Sequence, residues 1–163
     1  MRLITDSLFR FLINQPQAFA EIKGSDQYPQ IRGMVSFYGF EKGTIVLADI
    51  DGLPTNLDNM KLCGGRFFGF HIHEGSSCGN PAGDAFQAAG GHYNPGNCRH
   101  PFHAGDMPVL EESEGRAWMA FYTNRFLPDE IRGRTVIIHD MPDDYRTQPS
   151  GDSGMRIACG IIQ

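Results

Sequence analysis

Six histidines are the residues of this chain whose types and spacing could do chemistry. All of them lie between positions 71 and 139. The first two, His71 and His73, stand two residues apart in a run of β-forming side chains. Because side chains alternate between the two faces of a strand, both imidazoles project from the same side. The pair therefore predicts two nitrogen ligands that the strand already places for one metal ion. The alternative is a pair of ordinary surface histidines.

The remaining histidines and one aspartate complete two metal shells. Three imidazoles and a carboxylate form a closed tetrahedral shell suited to zinc, whereas four imidazoles suit copper. Both shells need His92, which must then present one ring nitrogen to each ion. Such a bridging imidazolate is reasonable only between two cations, because the ring has to lose both protons. The copper set is His71, His73, His92 and His139, and the zinc set is His92, His100, His103 and Asp106.

Composition and charge exclude several classes of function. The chain has 163 residues, 40% of them hydrophobic and 20% charged, as expected of one soluble globular domain with a hydrophobic core. Its net charge is −5 and it has no basic run, so nucleic acid is not an expected partner. No apolar run approaches the roughly 18 residues of a transmembrane helix, so no membrane partner is expected either.

Short strands joined by turns and long loops must position these histidines. Twenty glycines and ten prolines, without a long amphipathic helical pattern, favour an antiparallel sandwich or barrel of about eight strands. Residues 1–16 are predicted to be a leader with a short helix over 6–12, and residues 17–163 the domain. The predicted strands are Ala18–Lys23, Ile31–Phe40, Thr44–Ile50, Arg66–His73, Gly115–Thr123, Arg134–His139 and Met155–Ile162.

Five short motifs then follow one another along the chain. They are GFHIHE from position 69, GGHYNP from 90, HAGD from 103, GRTVIIH from 133 and GMRIACGII from 154. In this order and at these spacings they resemble the copper–zinc superoxide dismutase family, over roughly residues 18–162. The resemblance implies an all-β, eight-stranded antiparallel Greek-key barrel or immunoglobulin-like sandwich with two long functional loops. It also implies a fast enzyme that attracts its substrate electrostatically.

The resemblance further implies a role for each residue of the site. The copper and zinc sets become the ligands of the two metals, with His92 as the imidazolate bridge. Arg156 is implied to bind and guide the superoxide anion, which makes Arg156 and His92 the expected catalytic residues. Asp143 is implied to hydrogen-bond one histidine of each metal, and such outer partners fix ring orientation. Cys78 and Cys159 are implied to form an intrachain disulfide.

The implied reaction converts superoxide to dioxygen and hydrogen peroxide with copper and zinc as cofactors. Cu(II) oxidises one superoxide and Cu(I) reduces a second, with a proton delivered by the histidine that leaves copper, while redox-inert zinc holds the bridge and its loop. Superoxide is the expected partner, and we also consider a homodimer. The alternative function is a non-catalytic copper- or zinc-binding module of the same fold. Arg156 argues against it, because a mere binder has no need of an anion-guiding arginine.

Some features of the chain depart from the family pattern or leave alternatives open. Only two residues separate His100 from His103, a shorter interval than is common in the family. The zinc set therefore matches the family pattern less closely than the copper set does. The stretch 140–154 is short and has few lysines, which predicts weaker electrostatic steering. Cys63 and Cys98 are interpreted as ordinary thiols, with a second disulfide as the alternative. No signal-peptide pattern is visible, which predicts a cytoplasmic protein, although a disulfide would suit an extracytoplasmic one.

Overall fold

The computed structural model describes residues 15–55, 66–80 and 85–163. The helix predicted over 6–12 and Cys63 lie outside the described residues, and the domain boundary at residue 17 stays a prediction. Nine strands and two short 3-10 helices make up the regular structure of the described residues. The strands are β1 Ala18–Gly24, β2 Arg32–Phe40, β3 Gly43–Asp51, β4 Arg66–Phe68, β5 Phe70–His73, β6 Leu110–Glu112, β7 Arg116–Thr123, β8 Thr135–His139 and β9 Arg156–Ile161. The 3-10 helices are Gln87–Ala89 and Pro128–Glu130.

Two antiparallel sheets enclose the core. Seven strands pair in the order β5-β8-β9-β1-β2-β3-β7, and β4 pairs with β6. The sheets are joined at both edges, because β4 runs into β5 through Gly69 and β6 runs into β7 through a tight turn between Ser113 and Arg116. The predicted fold class, an all-β antiparallel barrel, is therefore confirmed.

The structure has nine strands where about eight were predicted and seven were located in the sequence, because two local features each add one. The predicted strand Arg66–His73 breaks at Gly69 into β4 and β5, which belong to different sheets. A Cβ on Gly69 would lie 2.8 Å from the side chain of Ser153, so this corner requires glycine. The extra strand, β6, has three residues, too few for an alternating pattern to be seen in the sequence.

Alternation along the strands separates the core from the surface. On β7, Ala117 is buried and Met119 and Phe121 pack against the core, whereas the side chain of Trp118 is 60% exposed. The two faces of this strand therefore follow the alternation of its side chains. Each large apolar side chain fully buried in the barrel contributes about 1.5–3 kcal/mol to folding. The barrel is therefore a rigid support for the loops at its surface.

Two long loops lie against the outside of the barrel. The first loop comprises residues 74–109, of which 81–84 lie outside the described residues, and the second loop comprises residues 140–155. Cys78 of the first loop is disulfide-bonded to Cys159 of β9, which confirms the predicted pair. The two cysteines are 81 positions apart, and closing a loop of that length stabilises the fold by about 4.5 kcal/mol in the chain-entropy model.

Candidate metal centre

Strands β5 and β8 carry three histidines to one place on the outside of the barrel. Phe70 and Ile72 of β5 point into the hydrophobic core, so His71 and His73 between and beside them point outwards. His139 ends the neighbouring strand β8, where a register irregularity follows Ile138. All three imidazoles are buried nonetheless, because the loops cover this part of the barrel.

The first loop is fastened to the free edge of β5 by backbone hydrogen bonds. The N–H of Ile72 donates to the carbonyl of Gly105 at 2.9 Å, and its carbonyl accepts from the N–H of Tyr93 at 2.8 Å. A Cβ on Gly105 would overlap the carbonyl oxygen of Ile72, so only glycine permits this approach. The fastening brings His92 opposite His73 and the zinc set next to the copper set.

In the copper set, one ring nitrogen of each strand histidine is held and the other faces the centre. His73 Nδ1 lies 2.9 Å from the carbonyl of Gly90, and His71 Nε2 lies 2.7 Å from a carboxylate oxygen of Asp143. His139 Nδ1 lies 3.4 Å from the carbonyl of Gly154. The nitrogens on the other side of two of these rings, His73 Nε2 and His139 Nε2, are 3.4 Å apart. The four ligand atoms of the set all lie within 4.8 Å of one another. Each ring is thus held by a partner that fixes its tautomer and aims a lone pair inward.

In the zinc set, the carboxylate of Asp106 lies among three imidazoles. Its Oδ1 is 2.7 Å from His92 Nδ1, and its Oδ2 is 3.1 Å from His100 Nδ1 and 3.3 Å from His103 Nδ1. Ligands of a tetrahedral zinc ion with bonds of 2.0–2.1 Å are about 3.3 Å apart, which most of these separations approach. Despite the short interval between His100 and His103, both rings reach the same carboxylate oxygen of Asp106.

Unpaired buried nitrogens test whether the two sets fit metal ions. Six buried side-chain atoms of the described residues lack a hydrogen-bond partner, and four of them are imidazole nitrogens of these sets. An unpaired buried polar atom is costly, whereas one metal ion in each set would together satisfy all four. The donor types, four imidazoles in one set and three imidazoles with a carboxylate in the other, fit copper and zinc. The four atoms are His71 Nδ1, His92 Nε2, His100 Nδ1 and His103 Nδ1.

The protonation states favour metal binding. Burial, helped by the neighbouring histidines, lowers the pKa of His71 and that of His73 well below the usual value, and burial lowers the pKa of His139 to about 4. Burial by itself would raise the pKa of Asp106, but the hydrogen bond from His92 and the nearby histidine charges lower it overall. At neutral pH these imidazoles are neutral and the carboxylate is ionised, as metal ligands must be.

Asp143 joins the two sets from the second loop. Its Oδ2 accepts from His71 Nε2 at 2.7 Å and its Oδ1 from His100 Nε2 at 2.9 Å. A Cβ on Gly151 would overlap this carboxylate, so the loop packs closely around it. Asp143 is buried, unlike the half-buried Asp144 beside it, so a freely solvated loop carboxylate does not describe it.

Arg156 lies half-buried beside the copper set, on the wall of a cavity of about 580 Å³. Its guanidinium donates to the carbonyls of Phe86 at 2.7 Å and Gly90 at 2.6 Å. The Gly90 carbonyl therefore serves both Arg156 and His73 Nδ1. Burial lowers the pKa of Arg156, but an arginine stays charged in proteins. Its positive charge in turn lowers the pKa of His73 and of His139.

Two residues that the sequence did not single out contact the zinc set. Arg125 donates to carbonyls of the first loop, and Gln148 hydrogen-bonds to the backbone of His100. No local pattern reveals such contacts, because the partners are about 20 to 50 positions apart in the chain. Cys98 is an exposed free thiol, whereas Cys63, its partner in the alternative of a second disulfide, lies outside the described residues.

Comparison with known proteins decides the family. The family model described as copper/zinc superoxide dismutase matches residues 31–162, most of the chain. The chain belongs to the copper/zinc superoxide dismutase family. Members of this family act on superoxide as oxidoreductases and use copper and zinc, in agreement with the two groups of residues in the structure that could hold metal ions.

Individual relatives agree in sequence and in structure. The chain is 35% identical to a Cu-Zn superoxide dismutase of Deinococcus radiodurans, over 93% of this chain and 86% of the relative. It is 37% identical to the superoxide dismutase-like protein YojM of Bacillus subtilis, over 71% of this chain and 65% of the relative. The solved Cu/Zn superoxide dismutase from Brucella abortus superposes with a TM-score of 0.74 at 27% identity, covering 90% of this chain and all of the other. No helix in the described part of the chain is long and apolar enough to cross a membrane.

Proposed function

We propose that the protein dismutates superoxide to dioxygen and hydrogen peroxide at a centre that holds copper in the copper set and zinc in the zinc set. The observation that carries this proposal is the pair of buried ligand sets that share His92 and leave four imidazole nitrogens without partners. When bound, copper supplies one-electron redox chemistry between Cu(II) and Cu(I), and redox-inert zinc supplies charge and structure.

The histidines of the copper set orient the centre through their hydrogen bonds. The carbonyl of Gly90 accepts from His73 Nδ1, and the carboxylate of Asp143 accepts from His71 Nε2. These contacts keep His73 Nε2 and His71 Nδ1 free of protons and turned towards one point. Preset rings of this kind bind a metal without further reorganisation.

His92 is the residue to which we assign proton transfer. Its Nδ1 is held on the zinc side by Asp106 at 2.7 Å, whereas its Nε2 is buried and has no hydrogen-bond partner. A proton needed by the reduced substrate can therefore be held at Nε2 while Nδ1 stays fixed. Asp106 in this way keeps the ring of His92 in place while Nε2 of that ring gains or loses a proton.

Arg156 is the residue to which we assign capture of the superoxide anion. The net charge of the whole chain is −5, so attraction of an anion depends on a local positive field. The guanidinium is held by the backbone carbonyls of Phe86 and Gly90, and the Gly90 carbonyl also accepts from His73 Nδ1 of the copper set. A fixed charge at this place draws the anion to the copper side of the centre.

The first experiment measures superoxide decay with purified protein loaded with copper and zinc, against the metal-free protein. We expect rapid decay that requires copper and slows as the salt concentration rises, because screening weakens the local field. Stoichiometric metal binding without decay above the metal-free control would contradict the proposal. It would leave the alternative function, a metal-binding module of the same fold.

The Arg156→Ala variant separates an enzyme from a mere metal binder. We expect kcat/KM to fall about tenfold or more and its salt dependence to flatten, because a charge worth several kT at the site is removed. Copper and zinc affinity should stay within a few-fold of the wild type, since Arg156 contacts no metal-facing nitrogen. Arg132→Ala, which removes an equal charge from an exposed pair with Asp129, is the matched control. Equal activity in the two variants would contradict the assigned role.

The compartment and the assembly stay predictions. The predicted cytoplasmic location has to be weighed against the Cys78–Cys159 disulfide, because disulfides persist mainly in oxidising compartments. Cell fractionation with thiol labelling of Cys98 as an internal marker would decide between the two compartments. Sedimentation of the purified protein at several concentrations would test the homodimer.

A further inference from the structure

Three residues of the zinc set lie on one short stretch of turns. His100, His103 and Asp106 fall within seven positions of the first loop. The backbone bonds inside the stretch are turn contacts, from Phe102 N–H to the Arg99 carbonyl at 2.8 Å and from Asp106 N–H to the His103 carbonyl at 3.3 Å. No strand of the barrel carries these ligands. Apart from the bond of the His103 N–H to Asp106 Oδ2 and the bond of the Ile72 N–H to the Gly105 carbonyl, their geometry depends on side chains outside the stretch.

An arginine that follows β7 holds one half of this stretch. Nη1 of Arg125 donates to the carbonyl oxygens of Pro101 at 3.0 Å, His103 at 3.2 Å and Asp106 at 3.2 Å. Three converging carbonyl dipoles make a negative site, which a permanently charged guanidinium satisfies. The N–H of Arg125 itself donates to the hydroxyl of Thr123, the last residue of β7, so the barrel anchors this arginine.

A glutamine of the second loop holds the other half. Oε1 of Gln148 accepts from the N–H of His100 at 3.0 Å, and its Nε2 donates to the carbonyl of His100 at 2.7 Å. These two contacts fix the backbone of His100 from both sides. The ring of the same histidine is held at Nε2 by Asp143. Backbone and ring are thus held by different residues of one loop.

We propose that Arg125 and Gln148 are positioning residues that hold the zinc set in ligand geometry before the metal binds. This inference rests on the proposed zinc site. Ordering the stretch during folding removes an entropy cost from metal binding, which raises the zinc affinity. The positive charge of Arg125 acts in the opposite direction, because it repels a cation. The two effects predict opposite signs for its removal, so an affinity measurement separates them.

The test measures the zinc dissociation constant of the full chain by competition with a chelator. We expect Arg125→Ala and Gln148→Ala to weaken zinc binding by about 10- to 100-fold, the usual effect of removing partners outside the ligand shell. Arg116→Ala is the matched control, because it removes an equal charge from β7 at an exposed pair with Asp49 far from these carbonyls. Copper affinity should change less than zinc affinity in every variant.

A second readout separates positioning from general stability. Cobalt(II) bound in place of zinc gives a visible spectrum that depends on ligand geometry, and we expect it to change in Arg125→Ala. Arg125→Lys keeps the charge and a donor, so its zinc affinity should lie between those of wild type and Arg125→Ala. If Arg125→Ala does not fold, Arg125→Lys and Gln148→Ala give the same test.

Three results would overturn the inference. The first is zinc affinity and a cobalt spectrum in Arg125→Ala and Gln148→Ala equal to those of Arg116→Ala. The second is tighter zinc binding in Arg125→Ala, which would show that charge repulsion dominates. The third is an equal loss of copper and zinc affinity together with a lower melting temperature. Failure of the wild-type protein to bind zinc would instead contradict the proposed zinc site.

Discussion

The copper set and the zinc set are built in different ways, although they share His92. Three residues of the copper set lie on β5 and β8, whose antiparallel pairing fixes their backbone positions. All four residues of the zinc set lie in the first loop, between positions 92 and 106. Ligands on a hydrogen-bonded sheet inherit its rigidity, whereas ligands on a loop depend on side chains that reach them from elsewhere.

The contacts of each set show this difference. Two rings of the copper set, those of His73 and His139, are held by the backbone carbonyls of Gly90 and Gly154, and the other two are held by carboxylates. Rings and backbone of the zinc set are held largely by side chains, those of Asp143, Arg125 and Gln148. The zinc set is therefore the more sensitive of the two to single substitutions outside its own ligands. Besides the shared His92, Asp143 is a contact through which one set can influence the other.

The largest expected effect comes from removing a ligand of one set only. His139→Ala should lower the rate of superoxide decay more than about 100-fold, because a direct ligand is worth more than an outer partner. His103→Ala should lose zinc but keep most of its copper, since the strand histidines stay in place. Metal content and decay rate would be measured for both variants. Equal loss of copper in the two variants would contradict the view that the strands hold the copper set independently of the loop that holds the zinc set.

A smaller effect on both sets is expected from the carboxylate that joins them. Asp143→Ala should weaken copper and zinc binding by about 10- to 100-fold each, because it releases the rings of His71 and His100 together. Asp144→Ala is the control, because this neighbouring carboxylate bonds to Thr147 and to neither histidine. An Asp143→Ala protein that lost affinity for one metal alone would show that the two sets are not coupled through this residue.

The smallest expected effect is a pH dependence of the metal-free fold that comes from the copper set. The pKa of His139 is about 4 in the folded protein and about 6.5 when unfolded, so the unfolded chain binds more protons between these values. The free energy of unfolding should therefore fall as the pH drops from about 6.5 to about 4, with each unit of pKa difference worth about 1.4 kcal/mol. His71 and His73 shift in the same direction and add to the slope.

Denaturant unfolding of the metal-free protein at several pH values would measure this slope. His139→Asn removes one titrating group from the copper set, so its slope should be shallower. A wild-type slope in that variant would mean that the acid sensitivity arises elsewhere in the protein.

Three residues of the copper set could be placed from the sequence because they follow strand periodicity. His71 and His73 alternate with Phe70 and Ile72 of the core, and the motif GRTVIIH ends a strand at His139. Period-two patterning of this kind is a local property that a sequence displays directly. For the same reason most predicted strands lie within one or two residues of those in the structure.

The supports of the zinc set could not be predicted in this way. Arg125 stands in an unremarkable stretch after β7, and its partners are known only once the first loop is folded against the barrel. Asp143 stood in an acidic pair, and only burial distinguishes it from Asp144. Contacts between distant loops are set by tertiary packing and leave no period in the sequence. The resemblance to a known family supplied the role of Asp143, whereas it supplied nothing for Arg125 or Gln148.

The most direct test of the account is to locate both metals in crystals of the protein loaded with copper and zinc, using anomalous scattering at the two absorption edges. The account predicts a copper peak within bonding distance of His92 Nε2 and a zinc peak within bonding distance of His92 Nδ1. A single metal position, or zinc at both positions in protein that shows full superoxide decay, would contradict a centre built from two sets that share one imidazole.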